Sequence, residues 1–297
     1  MDLLARLAAG VLICALTGPL LLSLRDFHAA RAQMSPLAFF TLAGASLVFA
    51  IAALVLALRP WPQERPARRL TALCVCFLIS LNLSAWVQHA VGPGTDDETS
   101  IWPVVVSTLA FQGAALALTH WCLRRHQTSW GEAFGLRPQR LGRAALWGLL
   151  LAVVAVPSAW LLQAGCAKLL TLLHVEVTEQ HMVEILQLAE SWPERLYLGF
   201  AAVILAPAAE ETLFRGILFT ALKQRGHPRA ALWGTSLLFG AIHLNLPSFL
   251  PLALLGVALA WLYETSGSLF APILAHACFN AANALMLYLT QMTGQSG

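Results

Sequence analysis

The stretch from Ala206 to Lys223 places three ionisable residues, Glu210, Glu211 and Arg215, inside an apolar run. An ionised side chain in hydrocarbon costs about 2.5 kcal/mol or more, so such residues face the interior of a helix bundle and mark a site. At helical spacing Glu211 and Arg215 are four residues apart on one face, where they can pair. Glu210 points about 100° away around the axis, which leaves this carboxylate without a local partner.

Three further polar residues, His243, His276 and Asn280, lie in later apolar runs. At about 1.5 Å per helical residue, Glu210, His243 and Asn280 come out about 20 Å from the near ends of their helices, and His276 about 14 Å. Within a hydrocarbon core about 30 Å thick, these groups share one buried band. A carboxylate, two imidazoles and an amide at one depth suit acid–base chemistry on a water molecule.

The composition is that of a polytopic membrane protein, because 58% of the 297 residues are hydrophobic and only 11% are charged. The predicted fold is an all-α membrane bundle of eight or nine helices. Residues 1–140 are predicted to hold membrane helices without a motif, 141–290 the functional core and 291–297 a polar tail. The predicted spans are 7–24, 37–58, 70–91, 101–123, 144–173, 196–222, 230–244, 249–263 and 269–289, of which 230–244 and 249–263 are short for independent spans.

The loop charges predict the orientation in the membrane. Basic loops at 59–69, 124–143 and 223–229 alternate with acidic segments at 96–98 and 174–194. By the positive-inside rule the basic loops and the N-terminus are cytoplasmic, and the expected location is the plasma (inner) membrane of a prokaryote. The net charge of +3 does not indicate a nucleic-acid partner. The segment 174–194 is weakly predicted to form an amphipathic surface helix.

Three motifs in one order resemble a known family. E-E-T-L-F-R at 210–215 matches EExxxR, F-G-A-I-H at 239–243 matches FxxxH, and H-A-C-F-N at 276–280 matches HxxxN. Together they resemble the CAAX protease and bacteriocin-processing (Abi) family of intramembrane endopeptidases, which is similar to the Ras-converting CAAX prenyl endopeptidase. The resemblance covers about residues 140–290.

The resemblance implies a protease in the lipid bilayer that cleaves a membrane-embedded, prenylated or leader-type protein substrate. It implies that Glu210 and His243 activate water and that His276 and Asn280 stabilise the oxyanion. For Glu211 and Arg215, a structural brace and a catalytic part both stay open.

Other interpretations remain open. Glu210, His243 and His276 are also an adequate catalytic zinc set, with one position left for water, so the protease is either glutamic or metal-dependent. A transporter would also bury Glu and His at the membrane midplane, although no internal repeat is found. A non-catalytic immunity or scaffold protein of the same fold is the third alternative. The oligomeric state is left open.

Overall fold

The computed structural model describes residues 104–105, 108–175, 191–243 and 245–294. These residues form helices and turns and contain no strand, so the predicted all-α class is confirmed for them. They fall into two compact units that divide between Cys122 and Leu123. The predicted spans 7–24, 37–58 and 70–91, the loops 59–69 and 96–98, and most of the segment 174–194 lie outside the described residues.

Seven helices follow one another in the described residues. A π-helical turn, Leu109–Gly113, leads into the first of them. We number them α1 (Ala114–Arg125), α2 (Trp130–Phe134), α3 (Pro138–Leu172), α4 (Trp192–Gln224), α5 (Pro228–Ala241), α6 (Leu246–Ser266) and α7 (Phe270–Gly294).

Four of these helices, α3, α4, α6 and α7, are long and apolar enough to cross a membrane. This supports the prediction of an integral membrane protein, while the total of eight or nine spans stays a prediction. The short helix α5 has 14 residues, as its apolar run predicted.

Helix α6 differs from its prediction. The predicted span 249–263 is shorter than the helix, because α6 runs for 21 residues from Leu246 to Ser266. The Asn245 side chain caps the helix by accepting a hydrogen bond from the Ser248 N–H at 3.1 Å. Pro247 stands at the start of the helix, where its missing N–H costs nothing. Residues that end one helix therefore also begin the next, and α6 is long enough to span.

Helix α4 is wound in alternating α and π turns. It runs as α (Trp192–Phe200), π (Ala201–Leu205), α (Ala206–Glu211), π (Thr212–Phe219) and α (Thr220–Gln224). The Thr220 hydroxyl donates to the Arg215 carbonyl, five residues back, at 2.9 Å. Because π turns occur mostly at functional sites, their position on both sides of Glu210 and Glu211 singles out this part of the chain.

Helices α5, α6 and α7 pack against α4. Helix α3 packs against α6 and α7, and α5 packs against α6. The first half of α4 contacts α7, while its second half contacts α5 and α6. The segment from Glu211 to Ile217 is buried without interruption. Glu211 and Arg215 are therefore held inside the bundle.

The short helix α2 closes one end of this core. The Ser129 hydroxyl accepts a hydrogen bond from the Glu132 N–H, and the Glu132 carboxylate accepts one from the Ser129 N–H at 2.8 Å. This backbone hydrogen bond is the largest cause that lowers the pKa of the Glu132 carboxyl below its ordinary value. Gly135 ends α2 in the left-handed region at φ 70°, and a Cβ there would lie 2.0 Å from the Gly267 carbonyl oxygen. The close approach requires glycine at this position.

Candidate active site

Glu211 and Arg215 form the pair that their spacing predicts. Arg215 Nη1 donates to Glu211 Oε1 at 2.8 Å, and both side chains are almost fully buried. Arg215 Nη2 donates to the Gly256 carbonyl of α6 at 3.1 Å. The guanidinium carbon also lies 4.6 Å from the ring centroid of Phe239 on α5. Arg215 on α4 thereby contacts both α5 and α6, which supports its interpretation as a brace.

Glu211 has a second partner that the sequence did not predict. His276 Nδ1 on α7 lies 2.9 Å from the same Oε1 atom that accepts from Arg215. A carboxylate only accepts, so the proton is on Nδ1 and the histidine donates. The four-residue spacing predicts Arg215 as a partner because it lies one helical turn from Glu211. His276 is 65 residues away in the chain and contacts Glu211 only because α7 packs against α4. Glu211 therefore orients a predicted site residue.

Glu210 lies next to the other ring nitrogen of His276. Its Oε2 atom is 3.9 Å from His276 Nε2, too far for a hydrogen bond. That oxygen is buried and, among the described residues, has no hydrogen-bond partner. The Glu210 side chain is 14% exposed, compared with 0% for Glu211. Each of the two carboxylates keeps a buried Oε2 atom without a hydrogen-bond partner among the described residues, but only Glu211 is engaged by two donors, both through Oε1.

His243 follows α5 and is oriented by its own backbone. Its Nδ1 lies 2.7 Å from the Phe239 carbonyl, which can only accept, so Nδ1 carries the proton and Nε2 holds a lone pair in the neutral ring. The Phe239 ring contacts both histidines edge-on, with centroid distances of 5.0 Å to His243 and 5.5 Å to His276. The FxxxH motif therefore supplies a side chain that separates and positions the two imidazoles.

Asn280 is one turn beyond His276 on α7. Its Nδ2 donates to the Ala202 carbonyl in the first π turn of α4 at 2.8 Å. An amide nitrogen carries two N–H bonds, so one is engaged in joining α7 to α4. Asn283, a further turn along, accepts from Trp160 Nε1 of α3 at 2.7 Å. Asn280 therefore joins α7 to α4, and Asn283 joins α7 to α3.

A metal centre requires three or more ligands at one point. In the part of the chain that the structure describes, no group of three or more His, Cys, Asp or Glu side chains is placed to hold a metal ion. Glu210, His243 and His276 do not form such a group in these residues, and the zinc alternative stays a prediction. Each histidine does donate through Nδ1 to a carboxylate or carbonyl, as metal-bound histidines do.

The comparisons with known proteins cover the segment that carries this site. Residues 192–282 match the family model described as type II CAAX prenyl endopeptidase Rce1-like. The chain is 32% identical over 83 residues to "Putative membrane peptidase YdiL" of Bacillus subtilis (strain 168), which is 28% of this chain and 34% of that protein. It is 34% identical over 88 residues to "Uncharacterized protein YpbD" of the same organism, which is 28% of this chain and 42% of that protein. No solved structure matches the chain at a significant level.

All six predicted site residues, Glu210, Glu211, Arg215, His243, His276 and Asn280, lie within the segment that matches the family model. The matches span 34% and 42% of the two relatives, so they concern this segment and not the whole length of either protein. The resemblance that the three motifs predict is therefore confirmed: residues 192–282 are similar to the Rce1-like CAAX prenyl endopeptidases.

Proposed function

We propose that this protein is an intramembrane endopeptidase of the CAAX-protease type. The observation that carries the proposal is the state of Glu210. Its Oε2 atom is buried, makes no hydrogen bond within the described residues and lies beside a histidine. A buried acceptor of this kind is suited to bind a water molecule and to remove its proton. Glu211 is less suited, although its Oε2 atom also lacks a partner, because Arg215 and His276 both donate to its Oε1 atom and stabilise its negative charge.

In this proposal Glu210 and His243 activate the water. The Nδ1–H of His243 is held by the Phe239 carbonyl, so the lone pair on Nε2 is available to accept a hydrogen bond. Glu210 takes the proton as the oxygen attacks the scissile carbonyl. The Glu210 carboxyl can then return that proton to the leaving amine, so the base acts later as the acid.

His276 and Asn280 are proposed to stabilise the oxyanion. Asn280 keeps a second amide N–H beyond the one donated to Ala202. His276 can donate from Nε2 only when its ring is protonated, because Nδ1 already donates to Glu211. The Glu211 carboxylate would then stabilise the protonated ring through Nδ1, and Arg215 holds that carboxylate in place, which gives the buried pair a role in the reaction through His276 without contact to substrate.

The proposed substrate is a membrane-anchored or membrane-embedded protein, such as one with a prenylated terminus or a leader peptide. The site lies on helices long enough to span, and α4 and α7 hold it inside the bundle. A peptide bond must therefore reach the site from within the membrane or from its surface. The matched family acts on prenylated proteins by its description, which supports the same class.

The decisive experiment compares membrane peptides, by mass spectrometry, from cells that carry the parent protein, Glu210→Gln or Glu264→Gln. Glutamine keeps the size of Glu210 and breaks no hydrogen bond of Oε2, so the variant should fold. Loss of the base should lower cleavage about 10²- to 10⁴-fold. Glu264→Gln is the matched control, since Glu264 pairs with Lys223 at the end of α6, away from the histidines.

The same peptides then serve as substrates for purified protein with and without a chelator. A glutamic protease keeps its rate after chelation, whereas a zinc enzyme loses activity and regains it when metal is added. Cleavage by Glu210→Gln at the parental rate would refute both versions, because both place Glu210 at the reacting water.

A further inference from the structure

A cavity of about 610 Å³ lies where three of the spanning helices end, separate from the candidate active site. Arg137 and Arg140 reach it from the start of α3, Lys223 from the end of α4, and Glu264 from the end of α6. The short helix α2 forms another wall. Because the ends of apolar helices mark the membrane–water boundary, the cavity is placed at the level of the lipid headgroups.

The charges that line the cavity do not cancel. Lys223 and Glu264 form an ion pair with each other. Glu132 is held by the Ser129 N–H and hydroxyl, and Arg137 makes the smallest of the contributions that lower the pKa of its carboxyl. The Ser129 donors are neutral, so Glu132 keeps its negative charge; one carboxylate then stands against two arginines, and a net positive charge remains in the lining.

Arg140 is the clearest case. Among the described residues its guanidinium makes no hydrogen bond or ion pair, although Nη1 lies 3.2 Å from the position that a Cβ would take at Gly267. The first turn of α3 also contains no acidic residue that could neutralise Arg137 or Arg140. Two guanidinium groups thus line a cavity in which Glu132 is the one carboxylate not paired with Lys223, and Arg140 has no ion pair among the described residues.

A phosphate group satisfies this arrangement best. Guanidinium groups bind phosphate oxygens through paired N–H donors. Among the described residues, no carboxylate takes the place of such a phosphate by a hydrogen bond to Arg137 or Arg140. Basic pockets between membrane helices on the cytoplasmic side are sites for anionic lipid headgroups. The loops 124–143 and 223–229, which contribute the basic residues, are the ones that the positive-inside rule predicts to be cytoplasmic.

We propose that this cavity binds the phosphate-bearing headgroup of an anionic phospholipid, with Arg137 and Arg140 as the contacts to phosphate. The bound lipid joins α2 to the ends of α3, α4 and α6. Helix α2 also inserts Phe134 against Gly216, one residue after Arg215, so the lipid stabilises the element that supports the buried ion pair. The inference does not depend on the proposed protease activity.

The test uses the full chain in a neutral detergent, titrated with phosphatidylglycerol or with phosphatidylcholine of the same acyl length. Binding is followed by native mass spectrometry and by the unfolding temperature, which rises when a ligand binds the folded state. Phosphatidylglycerol should bind and raise the unfolding temperature, and phosphatidylcholine should do so much less. Equal binding of the two lipids would overturn the proposal.

The variants separate this cavity from general attraction to positive charge. Arg137→Gln with Arg140→Gln should weaken phosphatidylglycerol binding roughly 30-fold, from about fivefold for each basic residue near an anionic headgroup. Arg143→Gln is the control, because Arg143 is an exposed arginine of the same helix that does not line the cavity. The same loss in the control, or parental binding by the double variant, would contradict the assignment.

Both arginines are exposed, and the Arg137 side chain makes no capping bond to α3, so the double variant should fold. A second variant keeps every charge: Gln224→Trp, at an exposed lining position, fills space in the cavity and should also weaken binding. A final arm uses sn-glycerol 3-phosphate. If that soluble phosphate binds as tightly as phosphatidylglycerol and loses affinity in the double variant, the cavity is a site for a free phosphate and the lipid assignment is wrong.

Discussion

The Glu211 side chain contributes both to the stability of the bundle and to the proposed chemistry. One of its oxygens accepts from Arg215 on the same helix and from His276 on another. A buried carboxylate needs such donors, because an unpaired charge in a low dielectric is strongly unfavourable. The arrangement therefore stabilises the bundle and fixes the ring of His276 with a single group.

Removing Arg215 should expose that dependence. We expect Arg215→Ala to destabilise the protein by roughly 3 to 5 kcal/mol, because a buried carboxylate loses its main counter-charge. The measurement is the unfolding temperature in detergent, with protein yield as a second readout. Glu211→Gln added to Arg215→Met should recover much of the loss, since neither charge remains. If Arg215→Ala melts like the parent and is inactive, Arg215 acts in the reaction and not as a brace.

Two asparagines of α7 offer a matched pair. Asn280→Ala and Asn283→Ala each remove one hydrogen bond to a neighbouring helix, 2.8 Å to Ala202 and 2.7 Å to Trp160. Each should lose about 0.5 to 1.5 kcal/mol of stability. Only Asn280→Ala should also lower the turnover number, about 10²- to 10³-fold, with substrate binding nearly unchanged. Comparable activity losses in both variants would assign the effect to packing and remove Asn280 from the oxyanion site.

For individual residues, the sequence predicts contacts between positions that lie close together in the chain. The pairing of Glu211 with Arg215 follows from a spacing of four residues, and the structure confirms it. The bond from His276 to Glu211 was not predicted, because it depends on how α7 packs against α4. The one buried band estimated for Glu210 and His276, at about 20 Å and about 14 Å, is consistent with the 3.9 Å between Glu210 Oε2 and His276 Nε2. The catalytic roles of these residues stay predictions.

Among the elements, α2 has an effect larger than its five residues suggest. Its Phe134 is almost fully buried, and its carbonyl accepts a hydrogen bond from the Leu269 N–H at the start of α7. The Phe134 ring fills the space above Gly216 on α4. The small residue at position 216 therefore makes room for the ring of a short helix outside the spanning segments.

Gly216→Ala tests this contact. A Cβ at position 216 would lie 2.7 Å from Phe134 Cε1, so the ring must move and we expect a loss of about 1 to 3 kcal/mol. Gly234→Ala is the control, since nothing lies within 4 Å of a Cβ there and alanine favours the helix by up to about 1 kcal/mol. Unfolding temperatures of the two variants should move in opposite directions. Phe134→Leu should restore part of the Gly216→Ala loss, and a failure to do so would locate the strain elsewhere.

The ends of the elements show which signals the sequence carries. The motif of Ser191 and Glu194 caps α4, and Pro138 and Pro228 begin α3 and α5. These are local rules and could be applied before the structure was known. The winding of α4 could not, because a π turn and an α turn differ by one residue and no spacing in the sequence distinguishes them.

For the whole molecule, the orientation in the membrane stays a prediction from the loop charges. We expect Glu190→Cys, in a background without the six native cysteines, to react with a membrane-impermeant thiol reagent on intact cells. Gln139→Cys, at an exposed position at the start of α3, should react only after the cells are permeabilised. The reverse pattern would invert the topology and would place the basic cavity on the outer face.

The alternating turns of α4 have a consequence for genetics. A π turn holds one more residue than an α turn, so in its winding this helix is equivalent to an α-helix that carries single-residue insertions. Deleting one residue between Thr212 and Phe219 would let the backbone return to α-helical winding without a break. The residues beyond that deletion would nearly keep their direction around the axis relative to Glu210, whereas a deletion in an α turn rotates everything beyond it by about 100°. A codon deletion scan through this helix should therefore be tolerated better in the π turns than in the neighbouring α turns, because only a deletion in an α turn changes the phase of the helix.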